Sequence, residues 1–425
     1  MTDSIINRRN MIAGIAGGGA GLAFLSAARP AQAASATAAP TVSAADFGAV
    51  GDGVADDTDA LQRTFEAALD GDAATVVSIP PGRYRVTRPI EVVSAAKPDG
   101  DITHRAGILA QGARILSEIA EDKPVIRIES RAVIRFFLIE GLQINGSGQE
   151  GPGLSIDCET RGTYFYNFCL RDLVIESCGG DGIQLIGNLF EGQIFNSYFR
   201  DNAGHGAIFS HGAEDTVLSA VHVFGCVFGG NGLNGAKLIE GAADVSFHGC
   251  YFLLNQYYGL SAESGCTLLS HCGFENNHMH AGDFSEGNAG LRLMVYGTLI
   301  GCTAYSIYNQ THLIRSYITN RLVMIGCTAD GSGSAADAKL ANLQGQPGAG
   351  ITLIGCYGGT DIQDGLSVLD LGAAGGSAHF GGTWDSQGLA WLGGYCLWVD
   401  GQGQLRMKKG TPDSDDDGQA VGASS

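Results

Sequence analysis

The chain has 425 residues, 65 of them glycine, with 16% charged and 44% hydrophobic; the glycine share is about twice the usual ~7%. That apolar fraction excludes a disordered chain, and the glycines follow no triplet period, which excludes collagen. A formal net charge of −19 leaves no basic stripe for phosphates, so no nucleic-acid partner is expected.

Residues 1–33 read as a targeting segment. Arg8 and Arg9 precede a weakly apolar run from Met11 to Ala28, and Ala31-Gln32-Ala33 offers the small residues that a signal peptidase requires. The pattern resembles a twin-arginine export signal. It implies the twin-arginine export machinery as a partner and a periplasmic or secreted mature protein. No other stretch approaches the ~18 uninterrupted apolar residues of a membrane span.

Residues 34–103 are expected to form an N-terminal segment with a capping helix and first strands. Asp56, Asp57 or Thr58 can cap a helix whose apolar positions include Leu61, Phe65 and Leu69. Strands are predicted at Val76 to Ile79 and Tyr84 to Val86.

Beyond this segment the chain repeats. Val221-His-Val-Phe-Gly-Cys-Val-Phe-Gly-Gly-Asn231 is followed by Val245-Ser-Phe-His-Gly-Cys-Tyr-Phe-Leu-Leu-Asn255, and a shorter copy ends at Asn277. Cys226, Cys250, Cys272, Cys302, Cys327 and Cys356 recur at intervals of 22 to 30 residues. Such a period signals a solenoid. Alternation within each copy points Val221, Val223, Val245 and Phe247 inward. The glycine before each cysteine permits a tight bend, Phe228, Phe252 and Phe274 stack in the core, and the asparagines satisfy backbone groups at bends. The cysteine spacing reads as an internal ladder of buried thiols rather than a disulfide framework, and no CxxC motif supports a metal site. The fold expected is all-β: a right-handed parallel β-helix, its coils running over 104–400 in eight or nine turns and about 40 Å long.

Ala45-Asp-Phe-Gly-Ala-Val-Gly-Asp-Gly-Val-Ala-Asp-Asp-Thr-Asp-Ala-Leu-Gln62, followed by Val77-Ser-Ile-Pro-Pro-Gly-Arg-Tyr-Arg-Val86, resembles the opening module of pectate-lyase-like β-helix proteins. Together with the export signal, the repeats also resemble a twin-arginine-translocated β-helix repeat family without an assigned activity. The resemblance implies a protein of the kind that includes polysaccharide lyases, glycosidases, uronate epimerases and glycan-binding surface proteins. Gly204-His205-Gly206 is similar to one motif of the polygalacturonases, whose other signatures are absent.

Stacking the copies predicts two outward files. Asp181, His205, Asn234 and Tyr258 each precede the repeat glycine, and Gln184, Ile208, Lys237, Ser261 and Arg292 stand two places after it. Neighbours in a file would lie about 5 Å apart. The candidate catalytic residues are therefore Asp181, His205, Lys237, Tyr258 and Arg292. Gln184, His211, Asn234, Glu240, Tyr257 and Glu263 are candidate substrate contacts. A cation could neutralise a substrate carboxylate while Tyr258 or His205 removes the α proton, or Asp181 could serve hydrolysis as an acid. His222, His248 and His271 lie near one another at differing offsets and read as surface, and no metal or cofactor is expected. Trp384, Trp391 and Trp398 are expected in the last coil and its cap, and 401–425 as the C-terminal end with a disordered acidic tail. The functional expectation is an exported protein that acts on or binds a polysaccharide or cell-surface glycan, by elimination or glycoside hydrolysis if catalytic. The alternative is a non-catalytic envelope repeat protein that binds a glycan or protein.

Overall fold

Apolar residues at every second position require a strand with one buried face, and a bend every few residues turns the chain back before it can form a flat sheet. In the computed structural model the described residues are 42–70, 75–94, 106–239, 241–263, 266–277, 289–293, 296–306, 312–318, 321–331, 339–346, 349–358, 360–362, 366–371, 379–380, 390–392, 395–399, 405–409, 414 and 417–420. Residues 1–33, expected to be a targeting segment, Glu240 and Trp384 lie outside them.

The coils contribute strands to three sheets of 17, 11 and 11 strands, here called sheets 1, 2 and 3, all parallel but for the last strand of sheet 1. One coil runs through Leu218–Phe224 in sheet 1, Val227–Gly229 in sheet 2 and Ala236–Leu238 in sheet 3. The next coil lies directly upon it, pairing Val221 with Val245, Phe228 with Phe252 and Lys237 with Ser261. Val221, Val223, Val245 and Phe247 are fully buried. With 11 rungs in sheet 3, the coils span about 48 Å.

The bend between sheets 1 and 2 requires a left-handed residue before the thiol. Gly225 and Gly249 hold φ near 60°, Gly301 holds 59°, and where glycine is missing Asn196 and His271 take 44° and 53°. Cys226, Cys250, Cys272, Cys302 and Cys327 fill the inside of these bends, buried. The Cys250 thiol donates to the Val223 carbonyl oxygen at 3.5 Å and that of Cys272 to Phe247 at 3.4 Å. Cys158, Cys169, Cys178 and Cys356 are free thiols, as are the five at the bends. Burial pushes the Cys178 thiol far above its ordinary range, which keeps it protonated and inert. Phe199, Phe228, Phe252 and Phe274 form a continuous ring stack with centroids 5.3, 5.0 and 4.9 Å apart.

The helix Thr58–Asp70 buries Leu61, Phe65 and Leu69 over the start of the coils. Asp57 begins it through its carbonyl, while its carboxylate accepts from Val50 and Gly51, and the Asp56 side chain takes the Thr58 N–H.

Three expected boundaries shift. Stacking begins at Val42, which pairs with Val77, and Val77 pairs in turn with Ile108, so the segment before 104 already supplies coils. Parallel pairing ends with Ser367–Leu371, against which His379–Phe380 turns antiparallel. Trp391 and Trp398 stand on Ala390–Leu392 and Tyr395–Val399, strands of a separate four-stranded antiparallel sheet. Part of the expected disordered tail joins that sheet, Gln419–Ala420 pairing with Leu405–Lys409 while Lys408 holds Asp417 at 2.5 Å. Local patterning marks a strand but not the direction of its partner, and the last coil has no following repeat to dictate it. Among the described residues no helix is long and apolar enough to cross a membrane.

Candidate functional site

The turn from sheet 2 to sheet 3 carries an asparagine, a file residue and a glycine in every coil from Asn202 to Gly259. The glycine is required by close approach. A Cβ on Gly182, Gly206 or Gly235 would come within 2.5 Å of a carbonyl oxygen of the next coil. Only without it can the coils seat closely enough for the preceding residues to stack.

They do stack, through a repeated bond. The His205 N–H donates to Asp181 Oδ1 at 2.6 Å, the Asn234 N–H to His205 Nδ1 at 3.1 Å, and the Tyr258 N–H to Asn234 Oδ1 at 3.0 Å. Each side chain therefore accepts from the backbone of the coil above. Because Nδ1 of His205 is an acceptor, the proton of the neutral ring is assigned to Nε2. Burial pushes the His205 imidazole below its usual range. The Asp181 charge opposes this and the Lys237 charge adds to it.

The second file is also contiguous. Gln184, Ile208, Lys237, Ser261 and Arg292 are successive partners in sheet 3, and Arg315 continues the file. Gln184 Nε2 donates to Asp181 Oδ2 at 2.8 Å. Glu263 Oε1 lies 3.4 Å from Lys237 Nζ and 3.7 Å from Arg292 Nη1, and the Arg292 guanidinium lies 5.9 Å from the centre of the Tyr258 ring. Two cations thus share one carboxylate oxygen, with all three side chains about one-third exposed. Asp181, Gln184, His205, Asn234, Lys237, Tyr258, Glu263 and Arg292 form one connected strip.

Tyr257 flanks the strip on the same turn, exposed, its N–H donating to Leu233. His211 follows the strand that carries Ile208 of the second file. The ring packs on Gly241 at the far end of the Ala207–Ser210 strand, where a Cβ would approach it to 2.3 Å.

One cluster escaped the sequence reading, and a second, the histidines read there as surface, is tied together by hydrogen bonds. Upstream on sheet 3, Arg127 reaches Asp157 at 2.7 Å and Glu129 at 2.9 Å. Ser155 sits in the Gln184 file, in coils that lack the Gly-Cys marker needed to set their register. On sheet 1, His222 Nδ1 and His248 Nε2 meet Ser246 Oγ at 2.6 and 3.0 Å, and His248 Nδ1 meets Ser270 at 2.7 Å. No group of three His, Cys, Asp or Glu suited to a metal exists among the described residues.

Burial lowers the affinity of both His205 and His248 for a proton, in the latter helped by the nearby His222. The unfolded chain, titrating near pH 6.5, then binds more protons than the folded one. Their contribution to stability is present above about pH 6.5 and lost as pH falls towards the folded values. Melting temperature is expected to fall between pH 7 and pH 5, less steeply in His248→Asn. An unchanged slope in that variant would remove this cause.

Comparison with known proteins places the chain. Residues 41–127 match the family model "Rhamnogalacturonase A/epimerase, pectate lyase-like". Residues 126–304 match "Right handed beta helix region", and 360–423 match "Capsule depolymerase". The chain folds as a right-handed parallel β-helix, and its first coils are pectate-lyase-like over residues 41–127. Over 148 residues it is 30% identical to the mannuronan C5-epimerase AlgE6 of Azotobacter vinelandii, a match covering 35% of this chain and only 14% of that protein. Among solved structures, ORF18 of Geobacillus virus E2 superposes with a TM-score of 0.58 at 19% identity, over 88% of this chain and 69% of that one. The enzymatically active domain of tailspike protein 2 from bacteriophage CBA120 gives 0.54 at 12% identity, over 74% and 47%. At such identities these structures establish the β-helix alone.

Proposed function

We propose that this β-helix protein is exported and acts on an acidic polysaccharide lying along the Asp181–Arg292 strip, abstracting the proton α to a uronate carboxylate. The observation that carries this reading is the pair of cations, Lys237 and Arg292, sharing the single carboxylate of Glu263 beside a neutral imidazole. A substrate carboxylate completes the charge balance there, and the two cations stabilise the enolate that forms as the α proton leaves. Tyr258, beneath the Arg292 guanidinium, takes that proton as its own O–H proton goes to the departing glycosidic oxygen. His205 holds the substrate through its Nε2–H. In the elimination the α C–H and glycosidic C–O bonds break, a C=C bond forms, and the proton passes through Tyr258 to the departing oxygen.

Hydrolysis fits less well, because both Asp181 oxygens already accept hydrogen bonds and an acid must carry a proton. The likenesses to a mannuronan epimerase and to a capsule depolymerase model support a saccharide substrate. Export rests on Arg8-Arg9 and Ala31-Gln32-Ala33. A second reading, a non-catalytic envelope protein that binds its glycan, is favoured by one observation. Asp181, His205 and Asn234 each accept a backbone N–H of the next coil and so also hold the coils together.

The test is incubation of the protein with polygalacturonate and polymannuronate, following the absorbance of unsaturated uronate. Lys237→Ala/Arg292→Ala should lower that signal by about 100-fold or more. Retention of the polymer without absorbance, lost in the same variant, identifies the binding reading. Turnover that survives the double substitution rules out the strip.

A further inference from the structure

The outer face of sheet 2 exposes aromatic rings at a regular interval. Tyr198 pairs with Val227 and Val227 with Tyr251, so the first two rings are two coils apart. Tyr305 lies two coils beyond Tyr251 and two residues further along its strand, and Tyr357 lies two coils beyond that. These tyrosines are 43, 53, 42 and 68% exposed. The interval is about 9.6 Å, close to the length of a disaccharide in an extended chain.

Tyr251 shows how such a ring is presented. Its partner in the next coil is Gly273, and a Cβ there would come within 2.8 Å of the Tyr251 ring. The glycine lets the ring lie down over the following coil, one side on the backbone and the other towards solvent. The neighbouring outward file supplies Glu275 and Asp330, and its Arg200 is already bound to Glu176 at 2.6 Å. An acidic setting of this kind repels a polyanion and tolerates a neutral chain.

We infer that sheet 2 carries a second saccharide site, for a neutral extended polysaccharide that stacks one sugar face on a tyrosine at every second coil. This site is separate from the sheet 3 strip and stands whether or not that strip is catalytic.

The experiment is affinity electrophoresis of the full chain in gels containing hydroxyethyl cellulose, galactomannan or xyloglucan, with polygalacturonate as the acidic counter-probe. At least one neutral polymer should retard the protein. Tyr251→Ala should weaken that retardation about tenfold, an effect of the size expected for one lost ring contact. Gly273→Ala should weaken it similarly with every tyrosine intact, because the added methyl lifts the ring. Lys237→Ala should leave it unchanged, which separates this site from the strip. Retardation by polygalacturonate alone, or undiminished retardation in Tyr198→Ala/Tyr251→Ala, overturns the inference. So does self-association in sedimentation that Tyr251→Ala abolishes, since the face would then join two copies of the chain.

Discussion

His205→Asn is expected to lower polyuronate turnover by about 100-fold or more while the coils stay assembled. The asparagine side-chain oxygen can take the place of Nδ1, which accepts the Asn234 N–H at 3.1 Å, so the file keeps its bond. What disappears is the Nε2–H that the strip offers to substrate. His205→Ala, by contrast, removes both and is expected to lose stability as well. Initial rates from unsaturated-uronate absorbance, set beside thermal melting of the two variants, separate these roles. Full activity in His205→Asn would reduce His205 to a spacer between coils.

Asn231→Ala is expected to cost about 3–5 kcal/mol of unfolding free energy. Asn231 is fully buried and its side chain makes four bonds. Its Oδ1 accepts from the backbone N–H and the amide of Asn202 at 3.3 and 3.1 Å, and its Nδ2 donates to the Phe199 carbonyl at 3.1 Å and to Asn255 Oδ1 at 2.9 Å. Truncation takes the side-chain acceptor from the Asn202 N–H and one bond each from the Asn202 amide, the Phe199 carbonyl and Asn255 Oδ1, all of them buried, and each unsatisfied group costs about 1–3 kcal/mol. Against a typical total of about 5–15 kcal/mol this is a large share, and it falls in the middle of a ladder through which neighbouring coils are coupled. Urea unfolding measures it. A loss below about 1 kcal/mol would mean that water replaces the amide, and the ladder would then be incidental to stability.

Much of the interior was legible because it repeats. Phe228, Phe252 and Phe274 recur at one offset, and so do Asn231, Asn255 and Asn277. A residue type that returns at a fixed place in a solenoid reports the same environment each time. The register of the files was legible for the same reason, since the glycine after Asp181, His205, Asn234 and Tyr258 sets it, but their exposure was not: Asp181, Asn234 and Ser261 are buried where solvent-facing positions are expected. The bonds between these residues were not legible. Nothing in the spacing shows that His205 gives up Nδ1 to a backbone N–H, or that Glu263 is shared by Lys237 and Arg292. Nor does the spacing show that the His211 ring packs on Gly241. Arg127 and Asp157 went unseen because their coils lack the cysteine and glycine from which register could be counted.

Alternation and a recurring marker determined by themselves that the chain winds into stacked parallel coils, with thiols, phenyl rings and asparagines inside, because burial follows from period. The tertiary structure alone decided where the winding stops, which hydrogen bonds each polar side chain spends on the next coil, and where a glycine allows Tyr251 to lie flat. Those outcomes depend on atoms brought together from residues 22 to 30 positions apart, and a local pattern carries no information about the partner across that gap.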